Sequence, residues 1–325
     1  LARKQQALAL FRAGQLAQSQ ALYQEICAAE ADDADSWLML GVLNSSLGEM
    51  EQAKTCFQNV IQIRPDDARA YYNLAAAFQL QGQLENATTF YREALRIQPE
   101  LAEAQNALGA VELARDQLEE AMSHFRTAIR IKPAFAEAHF NLGTALYQQD
   151  NVAEAEKCYR AALAANPKYA EAYHNLGLAL SAQERAEEAV TNYQAALRLK
   201  PNLAEACLNL GLAWYGLGQL DEAAAHYQRA LKIRPDYAEA HNNLGLVHAE
   251  QNRPALAMAS YREALRLRPD YAEAHNNLGS IHDDLNELDE AIACYRNALR
   301  CKPGLEAAHR RILFLMTLLK EICDW

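Results

Sequence analysis

Residues 238–271 read AEAHNNLGLVHAEQNRPALAMASYREALRLRPDY, and residues 272–305 repeat the pattern as AEAHNNLGSIHDDLNELDEAIACYRNALRCKPGL. Each segment has 34 residues and carries a proline at its position 32. The same spacing extends through the chain, with prolines at Pro65, Pro99, Pro133, Pro167, Pro201, Pro235, Pro269 and Pro303. A fixed period of this length predicts stacked copies of one small structural unit.

The spacing of the prolines divides almost the whole chain into repeats of 34 residues. Placing each proline at position 32 gives eight full repeats: 34–67, 68–101, 102–135, 136–169, 170–203, 204–237, 238–271 and 272–305. Residues 1–33 form a partial N-terminal repeat without the proline, and residues 306–325 continue the register as a lone capping or linking helix. We therefore expect one array of repeats rather than two or three ordinary domains.

Three positions hold the same kind of residue in every full repeat, and they indicate the structure of the repeated unit. Position 20 is alanine in all eight full repeats, position 24 is always aromatic, and position 8 is glycine or alanine. Apolar residues at positions 4, 7, 8 and 11, and again at 20, 24, 27 and 28, follow the spacing of one helical face. The pattern predicts two helices of about 13 residues each, packed closely where the small residues meet the ring.

Position 15 marks the turn between the two helices. Its occupants are Gly14, Gly48, Gly82, Asp116, Asp150, Glu184, Gly218, Asn252 and Asn286. Most of these residue types tolerate the left-handed backbone that ends a helix. The proline at position 32 ends the second helix, and only Pro254 is out of phase with this spacing.

The composition excludes several classes of protein. An apolar fraction of 51% excludes a disordered chain, and a net charge of −11 argues against a partner that is nucleic acid or an anionic membrane. The longest purely apolar stretches fall far short of the roughly 20 residues that a bilayer span requires. Seven cysteines without a CxxC pair favour reduced thiols and a cytoplasmic location.

This pattern resembles the tetratricopeptide repeat, which has a period of 34, small residues at positions 8 and 20, a ring at 24 and a proline at 32. The resemblance implies an all-α fold, a right-handed α-solenoid superhelix in which each repeat contacts its neighbours. It also implies that the first helix of each repeat lies on the concave face, where this family binds proteins and peptides.

Position 6 of the first helix is asparagine in six repeats: Asn73, Asn141, Asn175, Asn209, Asn243 and Asn277. A carboxamide both donates and accepts, so it can bind the backbone of an extended peptide whatever its sequence. Repeat layers about 10 Å apart match about three extended residues of about 3.3 Å each. The column is similar to that of the O-GlcNAc transferase repeat domain and, by convergence, of armadillo importins. In the alternative interpretation, each asparagine only bonds a neighbouring helix.

Position 2 adds acidic residues to the same face, namely Glu103, Glu137, Glu171, Glu205, Glu239 and Glu273. The first helices within 136–182 and 204–251 contain no lysine or arginine, which predicts a groove that prefers neutral or basic segments. The alternative is that these acids only favour the helix dipole. The family's clamp for acidic tails needs Lys at 2 or 5 and Arg at 6, so that function is disfavoured.

Histidines occupy positions 4 and 11 of two consecutive repeats, and their spacing argues against a metal site on one helix. His241 and His248 are seven residues apart on one helix, about 10.5 Å along its axis, too far to share one zinc ion. Only cross-repeat pairs such as His241 with His275 could share an ion, and packing is the preferred interpretation. No nucleophile elbow, P-loop or HExxH motif occurs, so we expect no catalytic site, metal or cofactor.

The last helix is apolar over most of its circumference, through Ile312, Leu313, Phe314, Leu315, Met316, Leu318, Leu319 and Ile322. Such a surface predicts a homodimer or an adjoining domain, with a free amphipathic cap as the alternative. The sequence thus favours a scaffold that binds extended peptides or proteins. The alternative is the substrate-recruiting arm of a protein-modifying enzyme that resembles O-GlcNAc transferase, with its catalytic domain outside this chain.

Overall fold

The computed structural model describes the backbone of residues 2–323 and the side chains of residues 2–317. This part of the chain is entirely helical, with nineteen helices and no strand. Eighteen of the helices form nine helix–turn–helix pairs, and one follows alone. The predicted all-α fold built from paired helices is confirmed.

The first helices of the repeats are α1 (Ala2–Arg12), α3 (Ala34–Ser46), α5 (Ala68–Leu80), α7 (Ala102–Ala114), α9 (Ala136–Gln148), α11 (Ala170–Ala182), α13 (Ala204–Gly216), α15 (Ala238–Glu250) and α17 (Ala272–Asp284). The second helices are α2 (Leu16–Ala29), α4 (Met50–Ile63), α6 (Leu84–Ile97), α8 (Leu118–Ile131), α10 (Val152–Ala165), α12 (Ala186–Leu199), α14 (Leu220–Ile233), α16 (Pro254–Leu267) and α18 (Leu288–Cys301). The helix that follows is α19 (Glu306–Cys323).

The chain forms two compact units, an N-terminal unit of Leu1–Pro167 and a C-terminal unit of Lys168–Trp325. Within each unit, the two helices of a repeat pack together, and the second helix also packs against the first helix of the next repeat. Consecutive first helices touch as well, for example α7 with α9 and α13 with α15. Within each unit, the first helices therefore form one side of the stack, which we call the first-helix face.

The small residue at position 8 makes room for the ring at position 24. A Cβ atom added to Gly177 would lie 2.5 Å from Cε1 of Tyr193, a ring that is only 1% exposed. The same close approach occurs at the other position-8 glycines, including Gly41 against Phe57. This close packing is what the sequence pattern predicts.

The turn at position 15 is left-handed in all nine pairs, as predicted. Backbone φ lies between 57° at Asn252 and 82° at Gly48. The out-of-phase proline also has a structural reason, because Pro254 occupies the first turn of α16, where a missing N–H costs no hydrogen bond.

Helix α19 packs on α18 through Ala308 and Leu315, which are buried. Its other side exposes large apolar side chains, with Leu313 66% and Phe314 58% accessible and Met316 also exposed. Three further residues of the predicted apolar surface, Leu318, Leu319 and Ile322, lie outside the described side chains. The described part of α19 thus leaves one apolar side uncovered.

Candidate functional site

The asparagines at position 6 lie on the first helices α5, α9, α11, α13, α15 and α17, and all six are half-buried. Each is followed by a buried leucine at position 7, such as Leu176 after Asn175. Because that leucine points into the core, the preceding asparagine is held at the edge of the first-helix face.

Three of these asparagines have bonded amide groups. The Nδ2 of Asn141 donates to Oδ1 of Asn106 at 3.0 Å, and the Nδ2 of Asn277 donates to Oδ1 of Asn242, also at 3.0 Å. The Nδ2 of Asn242 in turn donates to Oδ1 of Asn243 at 3.3 Å. The partners are asparagines at position 5, a position that the sequence reasoning did not include in the site.

The remaining three, Asn73, Asn175 and Asn209, make no side-chain hydrogen bond to any residue of the described chain. The alternative interpretation, a bond to a neighbouring helix, thus holds for Asn141 and Asn277. Even there the bond uses only the N–H₂ group and leaves Oδ1 able to accept. Every member of the column therefore keeps some capacity to bond a ligand.

The acids at position 2 are paired with bases at position 31 of the same repeat. Glu273 lies 2.9 Å from Nζ of Lys302, and Glu103 lies 3.0 Å from Nζ of Lys132. The same pairing joins Glu171 to Lys200, Glu205 to Arg234 and Glu239 to Arg268. Each pair links the start of the first helix to the end of the second.

These bases change the electrostatics of the predicted acidic surface. The hydrogen bond from Lys200 lowers the pKa of Glu171, and partial burial opposes this effect without cancelling it. The guanidinium of Arg234 also lies 4.5 Å from the ring centroid of Tyr237, so it is held between the carboxylate of Glu205 and an aromatic ring. Five of the six position-2 acids are thus neutralised by a neighbouring base.

Glu137 is the exception among these acids. Position 31 of its repeat is Asn166 instead of a lysine or arginine. Glu137 is exposed and makes no ion pair or hydrogen bond with the rest of the described residues. The 29-residue spacing between each acid and its base is readable in the sequence, and it could have shown which of the acids keeps its charge.

The histidines at position 4 bind the proline that ends the preceding repeat. Nε2 of His241 lies 3.1 Å from the carbonyl oxygen of Pro235, and Nε2 of His275 lies 3.0 Å from that of Pro269. Because a carbonyl only accepts, Nε2 must carry the proton, which removes it as a metal ligand. Within the described side chains, no group of three His, Cys, Asp or Glu residues could hold a metal ion.

His248 and His282 stand at position 11 of their repeats. Burial lowers the pKa of His248, and Nδ1 of His282 lies 2.5 Å from Oε2 of Glu287. The cysteines are free thiols wherever their side chains are described, and burial raises the pKa of Cys56 and Cys158 to about 11. Cys323 lies outside the described side chains.

A hollow of about 680 Å³ opens on the first-helix face of the N-terminal unit. Its lining includes Ala76, Ala107 and Ala110, and Ala107 stands at position 6, where most repeats have asparagine. Tyr72 and Phe135 lie on its sides. The sequence shows that this repeat lacks the position-6 asparagine, but its pattern did not predict a cavity.

The fold defines the tetratricopeptide-repeat class. Its helix pairs recur every 34 residues, and each full repeat has a buried ring beside a small residue, a left-handed turn and a closing proline. Models of this repeat match residues 10–77 and 272–305. A model described as the Cilia and flagella-associated protein 70 C-terminal domain matches residues 62–277, more than half of the chain. The chain belongs to this family of tetratricopeptide-repeat domains.

Solved structures share the fold. The anaphase-promoting-complex hetero-tetramer Cut9–Hcn1 is similar with a TM-score of 0.62 at 17% identity, over 92% of this chain and 59% of that one. Pseudomonas aeruginosa pilF is similar with a TM-score of 0.58 at 22% identity, over 64% of this chain and 95% of that one. YrrB, titled a TPR protein with an unusual peptide-binding site, is 26% identical over 60% of this chain and 97% of that one, with a TM-score of 0.49.

No curated protein shows significant similarity to the chain. Among the helices of the described residues, none has both the length and the apolar character needed to cross a bilayer. The comparisons thus establish the repeat class, whose fold is consistent with a protein-interaction scaffold.

Proposed function

We propose that the chain is a scaffold that holds extended peptide segments of partner proteins on its first-helix face, with the position-6 asparagines binding the peptide backbone. One observation carries the proposal. The four full repeats of the C-terminal unit each present a half-buried carboxamide at the same position: Asn175, Asn209, Asn243 and Asn277.

Half-burial favours this role energetically. A side chain already confined at the edge of the core loses less conformational entropy when a ligand binds it than a fully exposed one would. The bonds to Asn243 and Asn277 also orient those amides before binding. Each amide–backbone bond contributes roughly 0.5–1.5 kcal/mol net, so several must act together.

The charge preference follows from the ion pairs. In the C-terminal unit, Glu171, Glu205, Glu239 and Glu273 are all paired with bases, so their charges are locally balanced. We therefore propose that this unit accepts neutral segments. A preference for basic residues is confined to the neighbourhood of Glu137 in the N-terminal unit.

The test combines a peptide selection with a triple substitution. Peptides of random sequence are selected on the wild-type protein, and their affinities are measured by calorimetry for the variant N175A/N209A/N243A. Losing three such bonds should weaken binding about ten- to a thousandfold. The matched control, N86A/N192A/N297A, removes three asparagines from second helices and should leave the affinity unchanged.

Unchanged peptide affinity in the N175A/N209A/N243A variant, with thermal unfolding like that of the wild type, would refute the asparagine column as the binding element. If the control variant N86A/N192A/N297A also lost peptide affinity, the binding site would not be specific to the first-helix face, and this result too would contradict the proposal.

A second candidate function is a recruiting arm attached to a further domain, such as that of an O-GlcNAc-transferase-like enzyme. It is favoured by the uncovered apolar side of α19, where Leu313 and Phe314 are exposed. The same surface would serve a homodimer. Light scattering of the chain and of its L313S/F314S variant tests this, because a monomer in both cases contradicts self-association. The free thiols are consistent with a cytoplasmic location, which we propose on that ground.

A further inference from the structure

We infer that the hollow in the N-terminal unit binds the side chain of a lysine or arginine in the bound peptide, with Glu137 as its counter-ion. The inference rests on the proposed function, since it assigns the one place on the first-helix face where side chains rather than backbone are recognised. The two can still fail separately, as the experiment below shows.

The hollow exists because small residues replace larger ones on two neighbouring first helices. Ala76 on α5 and Ala110 on α7 both stand at position 9, where three of the four full repeats of the C-terminal unit have leucine and the fourth has Ser280. Ala107 stands at position 6 in place of asparagine. The column of amides is therefore interrupted by a space of about 680 Å³, within the range of small-ligand pockets.

The aromatic sides of the hollow are held in place by their own contacts. The ring centroid of Tyr72 lies 5.8 Å from that of Tyr91, and the hydroxyl of Tyr91 donates to Oε1 of Gln79 at 2.7 Å. The Nζ of Lys132 lies 4.6 Å from the ring centroid of Phe135. A pocket with fixed sides needs little rearrangement on binding, which favours a specific occupant.

Charge decides which occupant fits. Three charged side chains line the hollow, and two of them, Glu103 and Lys132, neutralise each other at 3.0 Å. Glu137 is left without a partner in the described structure, so the hollow carries one net negative charge. After burial, which is the main cause, the charges of Glu103 and Glu137 raise the pKa of Tyr72, so the negative potential reaches into the hollow.

A long basic side chain meets both properties of this site. Its aliphatic stem would pack on the lining alanines and the ring of Tyr72, while its charged end would reach Glu137. An acidic side chain would face an unpaired carboxylate, and a leucine would leave that carboxylate without a partner. Lysine and arginine share the required chemistry, and the probes below separate them.

The direct experiment uses single capped amino acids, which need no asparagine column. Nα-acetyl-arginine amide, Nα-acetyl-lysine amide and the neutral control Nα-acetyl-leucine amide are titrated into the full chain with labelled alanine methyl groups. We expect both basic probes to shift the methyl signals of Ala76, Ala107 and Ala110, and the leucine probe not to shift them. Equal shifts with leucine would overturn the inference.

Two substitutions test the assignment to named residues. The variant E137Q should weaken the basic probes about tenfold or more, since it removes the counter-ion. The variant A107N places the asparagine of other repeats in the hollow and should abolish binding of the probes. The matched control is E273Q at the same position of a paired repeat, and it should leave binding of the capped probes unchanged. Unchanged probe binding in E137Q would also overturn the inference.

Selected peptides separate this inference from the proposed function. If wild-type protein enriches peptides with a basic residue at one fixed place, and E137Q loses that enrichment, both stand. If peptides bind without such a residue and the capped probes do not bind, the hollow is not a side-chain pocket, although the scaffold function stands. If the basic probes bind but no peptide does, the hollow stands and the proposed function fails.

Discussion

The two compact units are built from the same repeat but differ in regularity. In the C-terminal unit, all four full repeats have asparagine at position 6, and all four acids at position 2 are paired with a base. In the N-terminal unit, position 6 holds Met39 and Ala107 as well as two asparagines, and Glu137 is unpaired. Position 8 differs too, since Ala75 stands where every repeat of the C-terminal unit has glycine.

The difference separates two tasks of a repeat array. Regular positions give the same contact to each stretch of a ligand, so they recognise the backbone that all peptides share. An interruption creates a place unlike its neighbours, and only such a place can recognise one side chain in a fixed register. Under the proposed function and the inference drawn from the hollow, the C-terminal unit would supply general affinity for peptides and the N-terminal unit would supply specificity.

The largest expected effect concerns position 8. Gly177→Val would place side-chain carbon against the buried ring of Tyr193, and such overpacking costs roughly 1–3 kcal/mol. Urea unfolding measures this loss. The control is Gly216→Val, because a Cβ at Gly216 meets no atom within 4 Å. Equal losses in the two variants would contradict the packing explanation.

Ala75, at position 8 of a repeat in the N-terminal unit, allows a finer comparison of side-chain size at this position. Tyr91 already accommodates a methyl group there, since both residues belong to one buried cluster. Gly177→Ala should therefore be tolerated far better than Gly177→Val, and Ala75→Gly should gain no stability.

An intermediate effect concerns the left-handed turns. Glu184 has φ of 60°, whereas the equivalent Gly82 has φ of 73°. A side chain in this conformation costs about 1 kcal/mol, so Glu184→Gly should stabilise the protein by up to about that amount and Gly82→Ala should destabilise it similarly. Thermal unfolding measures both changes. A loss of stability in Glu184→Gly would show that the glutamate side chain contributes more than its backbone costs.

The smallest effect concerns the ion pairs and depends on pH. The hydrogen bond from Lys302 lowers the pKa of Glu273 below its ordinary 4.5. The unfolded chain then takes up the proton first, so the pair stabilises the fold fully above about pH 5, and this contribution is lost as pH falls through 4.5 and the folded pKa. Because the pair is half-exposed, Lys302→Met should cost only about 0.2–1 kcal/mol at pH 7.

The unpaired acid provides the contrast. Urea midpoints between pH 3 and pH 7 should fall less steeply on acidification for Lys302→Met than for the wild type. For Glu137→Gln, the urea midpoint should depend on pH as it does in the wild type, since Glu137 has no base partner among the described residues. A change in the Glu137→Gln profile would reveal a partner for this carboxylate in solution.

The sequence was sufficient for the fold because its signals are local. Position 15 predicts its turn from the residue types alone, and the spacing of positions 8 and 24 predicts the packing of Gly177 on Tyr193. The candidate site was predicted less completely, because its partners come from different helices. The bond from Asn141 to Asn106 joins two repeats, and the pair of Glu273 with Lys302 joins residues 29 apart. The contact between Asn141 and Asn106 appears only once the helices are packed. The spacing of Glu273 and Lys302 is visible in the sequence, but it indicates an ion pair only once the two helix ends are known to meet.

Within each unit, the second helix of one repeat packs on the first helix of the next. At several junctions, a position-4 side chain also bonds the preceding proline, as His241 does with Pro235 and His275 with Pro269. Leu203 precedes Ala204 as Tyr237 precedes Ala238, so removing residues 204–237 would join two surfaces that already fit each other. Under the proposed function, the length of peptide that the protein can hold would therefore change in whole repeats, by duplication or deletion, without any change to the core.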